Sequence, residues 1–317
     1  MNITQLEPQV IWKNFAALNA VPRPSKKEEK VIAFMKDFGN QLSLETIVDE
    51  VGNVIIRKPA TPGMENRKPV VLQSHLDMVH QKNNDVDFDF ETQGIEMEIQ
   101  DDWVKAKGTT LGADNGLGVA AIMALLESSD IPHPALEALF TIDEETGMTG
   151  AIGLKPGQLQ GEILLNLDTE EDDEIDIGCA GGVDVTASQK YSTQKPEGQP
   201  VRITIKGLQG GHSGMDIHKN FGNANIILGR LLYLGMNQNI QLISIDGGGL
   251  RNAIPREATA LFTVNNAEEF LKKANVLAQE IKDEFAATEK DLEITAEKSD
   301  GKEAAAVSEQ DSKKIIL

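Results

Sequence analysis

With 317 residues the chain is long enough to bury a sizeable core and to form two domains. Its 40% hydrophobic and 25% charged residues are the proportions of a globular protein, while a formal net charge of -20 opposes binding to nucleic acid or to an anionic membrane surface. The single cysteine, Cys179, excludes an internal disulfide framework and any cysteine-rich zinc site.

Residues 1–20 have no basic start followed by a continuous apolar core, so they do not read as a secretory signal. No run of about 18 apolar residues is present, so no membrane span is expected and the cytoplasm is the expected compartment. In chain order, Pro8 to Leu18 reads as a helix with Val10, Ile11, Phe15 and Leu18 on one face. Val21-Pro22-Arg23-Pro24 is a stiff extended connector. Ser25 and Glu28 have the spacing of a capping box, and Val31, Ile32, Met35 and Phe38 continue a helical stripe that Gly39 should stop. Val54 to Ile56 reads as a short strand.

The stretch Val70 to Val79, VVLQSHLDMV, reads as a buried strand that ends in chemistry. Side chains alternate along a strand, so His75 and Asp77 leave it on the same side. An imidazole with a carboxylate two residues on is either a metal ligand with its orienting neighbour or a solvated strand end. Ile95 to Ile99 and Trp103 to Ala106 form a hairpin pattern. Gly108 to Gly118, GTTLGADNGLG, is a glycine-rich loop feeding an apolar helix, Val119 to Leu126; without a lysine in the required place it is not a phosphate loop. Asp114 or Asn115 can serve there simply as a helix cap. Ala135 to Ile142 is a second buried strand, running into Asp143-Glu144-Glu145, and Glu162 to Leu167 a third, ending on Asp168. Most of the acidic run Asp168 to Asp176 reads as a solvated turn.

Three candidate core strands therefore finish on a carboxylate or an imidazole, and in open α/β sheets ligands bind beyond the carboxyl ends of the strands. His75 and Asp77, Glu144 and Glu145, and Asp168 should converge on one rim, with Asp114 supplied by the neighbouring loop. Like charges so gathered repel unless a cation sits among them, and a metal is the economical explanation. After Gly182 the pattern changes to half-exposed antiparallel strands at Val183 to Ser188 and Val201 to Ile205. A glycine turn holding His212, a helix from Ala224 to Leu234, strands at Gln241 to Ile245 and Ala258 to Val264, and a helix from Glu268 to Phe285 follow. The division is a domain at 1–182 and an α+β domain at 183–317.

In that order HLDMV, GTTLGADNG, DEETGM, NLDTEE, GGHSG and RNAIPRE resemble the aminoacylhistidine dipeptidases (peptidase D, carnosinase-type). These belong to a two-metal exopeptidase superfamily that includes carboxypeptidase G and peptidase T. The resemblance implies an α/β catalytic domain, with a mixed, largely parallel sheet and helices on both faces, plus a lid or dimerisation domain. It implies hydrolysis of Xaa-His-type dipeptides by a metal-activated water, with two divalent ions, zinc or else cobalt or manganese, in a homodimer. His75 would bind one ion, Asp114 would bridge both, Glu145 would hold the second and Asp168 the first. Glu144 would be the general base and Asp77 would orient His75. His212 would reach a partner's site and polarise the scissile carbonyl, and Asn252 would contact substrate.

The chain also departs from the family. Family members are considerably longer, and their last segment supplies a final metal-binding histidine. Nothing after Glu268 matches it, and all five histidines (75, 80, 133, 212 and 218) lie earlier. His80 and His133 read as structural or solvated, and both domains read as incomplete, with an unpaired sheet edge expected. Besides the dipeptidase, another peptidase or deacylase of the superfamily, or a fragment that keeps the carboxylates but hydrolyses nothing, fits the same residues.

Overall fold

A computed structural model describes residues 2–169, 174–178, 183, 185–300 and 305–317. The chain divides into two compact units, Met1–Gly181 and Gly182–Leu317. Cys179 lies outside the described residues. Among the described residues no helix is long and apolar enough to cross a membrane.

In the first unit, α1 (Gln9–Asn19) and α2 (Glu29–Gln41) precede β1 (Glu45–Val48), β2 (Val54–Lys58) and β3 (Val70–His75). A hairpin, β4 (Met97–Gln100) and β5 (Trp103–Ala106), leads to α3 (Ala113–Glu127), β6 (Leu136–Thr141), α4 (Thr149–Gly153) and β7 (Ile163–Asn166). The sheet order is β1-β2-β6-β3-β7. β1 with β2 and β2 with β6 are antiparallel; β3 is parallel to β6 and to β7. The sheet is mixed as expected, but parallel and antiparallel pairings are equal in number. The antiparallel half comes from β1, whose half-polar ETIV gave no strand signal.

Leu18, Val31 and Met35 of α1 and α2 pack with Ile122 and Leu126 of α3 against Ile56, Leu72 and Phe140 on one face. The opposite face holds Ile55, Val71 and Leu139, covered by Leu154 and Leu159 around α4. β6, with all six residues buried, is the centre of the sheet. β7 departs from expectation: among the described residues it lies at the edge of the sheet, and Leu164 and Leu165 are 60% and 50% exposed.

Two local expectations fail for identifiable reasons. Gly39 does not stop α2; it sits buried within it, where a Cβ would lie 2.2 Å from Thr46 Oγ1, so it serves close helix–strand packing. The Ser25–Glu28 capping box is not made: α2 begins after Glu28 with no side-chain cap, and Ser25 turns instead to Asp77.

In the second unit β8 (Thr193–Gln194) and β9 (Gln199–Lys206) are followed by α5 (Ala224–Tyr233), β10 (Gln241–Gly247), β11 (Ala258–Val264), α6 (Ala267–Glu284), β12 (Glu293–Lys298), β13 (Ala306–Val307) and α7 (Glu309–Ile316). An antiparallel sheet, β10-β11-β9-β12, packs Val201, Ile203, Ile205 and Phe262 against Leu228, Leu231, Phe270 and Ile281 of α5 and α6. The strand expected at Val183 to Ser188 is not formed among its described residues, and Val183 and Val185 are exposed: alternation without a partner strand does not make a sheet. β12, EITAEK, was hidden by its charged face and is recruited by pairing with β9.

Candidate metal centre

β3, β6 and β7 run in parallel, so their carboxyl ends share one rim. His75 ends β3 and Asp77 follows it; Asp143-Glu144-Glu145 follow β6; Asp168 follows β7. Asp114 comes from the start of α3, where Asp114 and Asn115 have non-helical backbone angles. Neither acts as the cap: the N-cap position is Gly112, with no side-chain cap bond. Asn115 instead donates to the carbonyl of Leu167 (2.8 Å) and to the carboxylate of Asp168, tying the start of α3 to the end of β7.

The ring of His75 is fully buried. Its Nδ1 lies 3.1 Å from the Asp77 carbonyl oxygen and 3.3 Å from the Asp77 carboxylate. Nε2 stands 3.0 Å from Asp114, 3.6 Å from Asp168 and 3.9 Å from Glu144. Burial disfavours the imidazolium, but hydrogen bonds to Asp114, Asp168 and Asp77 outweigh it and push the pKa up to about 12. With Nδ1 donating to Asp77, a cation among these acids that displaced the Nε2 proton would meet the Nε2 lone pair.

Asp77 does more than orient the ring. Its carboxylate accepts from Ser25 Oγ (2.8 Å) and from the backbone N–H groups of Glu144 (3.0 Å) and Glu145 (3.2 Å). Burial opposes its charge, yet His75 and these donors hold its pKa below the usual carboxylate value. Burial raises Glu144, and repulsion from Asp168, Asp77 and Asp114 adds to it. Burial and repulsion from Asp114 likewise carry Glu145 to about 7. Asp168 is lowered: burial works against it, but contacts with His75 and Asn115 prevail.

The donor set fits a divalent ion. Ligand atoms of His75, Asp114 and Asp168 lie within 4.8 Å of one another, as do those of His75, Glu144 and Glu145. One imidazole nitrogen among carboxylate oxygens is chemistry that zinc, cobalt or manganese accepts. A cavity of about 250 Å³ opens beside Glu144 and Asp168, with Leu139, Leu154, Leu159 and Leu164 in its wall.

The second unit holds His212 and Asn252, and the structure brings them together. His212 bridges to Ala253, and Ser213 N–H donates to the Asn252 carbonyl (2.8 Å). His212 Nδ1 accepts from the N–H groups of Gly214 and Met215, both at 3.1 Å, so the neutral ring carries its proton on Nε2. His133 is buried with Nδ1 2.7 Å from the Pro134 carbonyl, His80 packs edge-on against Phe90, and His218 is exposed.

Sequence reasoning missed Arg23, Ser25, Glu28 and Asn115. Glu28 is buried and accepts from the N–H groups of Lys26 (2.8 Å) and Asp143 (3.1 Å), and burial raises its pKa. The nearest signal was a cationic residue held between Pro22 and Pro24.

Residues 203–291 match the peptidase dimerisation domain, M20_dimer. The chain is 46% identical over 297 residues to the cytosol non-specific dipeptidase of Escherichia coli (strain K12), covering 92% of this chain and 61% of that protein. It is 24% identical over 228 residues to the uncharacterized protein YqjE of Bacillus subtilis (strain 168), covering 68% of this chain and 54% of that one. Among solved structures, aminoacylhistidine dipeptidase from Vibrio alginolyticus matches with a TM-score of 0.57 and 41% identity, over 100% of this chain and 65% of that one. The chain thus spans about three fifths of the length of these dipeptidases. By sequence, fold and the order of its motifs the chain is similar to the aminoacylhistidine dipeptidases, and residues 203–291 of its second unit match the peptidase dimerisation domain.

Proposed function

We propose that this chain carries the greater part of a metal-dependent dipeptidase acting on Xaa-His-type dipeptides in the cytoplasm. The observation that carries the reading is the convergence of His75, Asp114, Glu144 and Asp168 from four separate segments around one imidazole nitrogen. Kinship with two dipeptidases supports it. Residues 1–182 are then the catalytic domain and 183–317 the lid and dimerisation domain of a homodimer.

His75, Asp114 and Asp168 would hold one divalent ion, and Asp114 and Glu145 the other. Zinc suits the mixed nitrogen and oxygen donors, with cobalt or manganese as substitutes. Once bound, such ions polarise the scissile carbonyl and lower the pKa of a water towards ~7. Asp114 would be the shared residue because a carboxylate offers two oxygens, whereas an imidazole offers one lone pair. Glu144, raised by burial and by its acidic neighbours, takes a proton from the attacking water and returns it to the leaving amine. Asp77 keeps the proton of His75 on Nδ1. His212 would offer Nε2–H to the scissile carbonyl oxygen in a partner subunit's site, and Asn252 beside it would contact substrate.

Supplied with zinc, cobalt or manganese, the purified chain should release histidine from a β-alanyl- or aminoacyl-histidine dipeptide. Glu144→Ala should slow that release by about 10²–10⁴-fold, the usual worth of a general base. Release of a different acyl or aminoacyl product would move the protein to a sister activity of the superfamily.

One observation favours a second reading. Among the described residues, the groups within ligand range contain no histidine besides His75, so the second ion has few ligands from this chain. Metal uptake without histidine release under any metal would make the chain a metal-binding portion that hydrolyses nothing by itself.

A further inference from the structure

We propose that Arg23 is the positioning residue of this centre: its guanidinium locks the strand end carrying His75 and Asp77 to the loop carrying Asp114. The side chain is 2% exposed. Nη1 donates to the carbonyl oxygens of Leu76 (3.1 Å) and Asp77 (3.0 Å), directly after His75. Nη2 donates to the carbonyl of Gly112 (2.6 Å), two residues before Asp114, and to Asn19 Oδ1 (2.9 Å). Asn19 in turn donates from Nδ2 to the carbonyl of Leu111 (2.9 Å), so α1 and Arg23 grip the same loop.

The loop is shaped around this cation. A Cβ on Gly112 would lie 2.5 Å from Nη2, and one on Gly116 2.7 Å from it. Two glycines of GTTLGADNG therefore make room for a guanidinium, a role distinct from contact with any ligand. The fork matters because four acceptors on three segments need donors in fixed planar directions; a lysine ammonium supplies a point charge without that geometry. Burial lowers the pKa of Arg23 to about 10, opposed by Asp77, Asp114 and Glu145, so the group stays charged at neutral pH. A buried cation beside the acids also relieves part of their mutual repulsion.

The inference rests on reading this cluster as a metal centre, and its test separates the two. The full chain and its Arg23→Lys and Arg23→Met variants are titrated with cobalt(II) and zinc, and amide hydrogen exchange is followed on the metal-free proteins. Arg23→Lys should weaken metal affinity by about 10–100-fold, the usual effect of losing a residue that orients ligands, and alter the visible cobalt(II) spectrum. Exchange should quicken at 75–79 and 111–118 and stay unchanged in β2 and β6. Guanidinium added to an Arg23→Ala protein should restore part of the affinity, whereas methylammonium should not. Unchanged affinity and exchange in both variants would overturn the proposal. So would uniform loss of protection across β2, β3 and β6, which would make Arg23 a general core residue. If the unsubstituted chain takes up neither metal, the metal reading fails, and the exchange result alone then decides whether Arg23 locks the two segments.

Discussion

Asp77 answers to four donors at once: the His75 ring, Ser25 Oγ and the N–H groups of Glu144 and Glu145. It thereby sets both the tautomer of His75 and the position of the two glutamates. Asp77→Asn keeps the shape but replaces one carboxylate oxygen by an amino group, which would face a donor. We expect metal affinity to fall by about 10–100-fold, read by zinc or cobalt titration. Unaltered affinity would reduce Asp77 to a fold residue. For Asp114 the expectation is loss of bound metal in a folded Asp114→Ala sample, since its carboxylate stands 3.0 Å from His75 Nε2 and within ligand range of Asp168.

At the scale of elements, the turns that release strands towards functional loops depend on backbone freedom. Gly207 ends β9 and opens the loop carrying His212; its φ is +78°, and a Cβ there would lie 1.9 Å from the carbonyl oxygen of Asp291. Both the left-handed backbone and the clash oppose any side chain, and the obstructing atom is backbone that cannot rotate away. Gly207→Ala should cost about 1–3 kcal/mol by overpacking, seen as a lower urea midpoint with an unchanged denaturant slope. A midpoint equal to that of the parent would mean the backbone around Gly207 and Asp291 yields more easily than its geometry indicates.

For the whole molecule, every proposed ligand comes from the first unit, so metal should stabilise the two units unequally. Ligand at 100 times its Kd adds about 2.7 kcal/mol to the state that binds it. Zinc should slow amide exchange in β3, β6 and the start of α3, leave β9 to β12 unaltered, and release its effect to a chelator. Equal protection in both units would point to ligands outside the set named above.

The strand ends were legible because a parallel trio leaves a plain mark: VVLQSH, LEALFT and ILLN are apolar runs, and each breaks into an acid or imidazole at its carboxyl end. Motif order alone also disclosed the kinship. What tertiary structure decided was the fate of residues whose partners are distant in sequence. Ser25 and Glu28 have the spacing of a local cap, but burial gave each a stronger partner, Asp77 and the Asp143 N–H. Charged β12 became a strand only through β9, and apolar β7 lies exposed at the edge of the sheet among the described residues. Arg23, in a stiff connector with no motif, became the fork joining three segments. Local pattern records which faces want water; it does not record which distant donor will meet a buried acceptor, and that pairing sets the geometry of this centre.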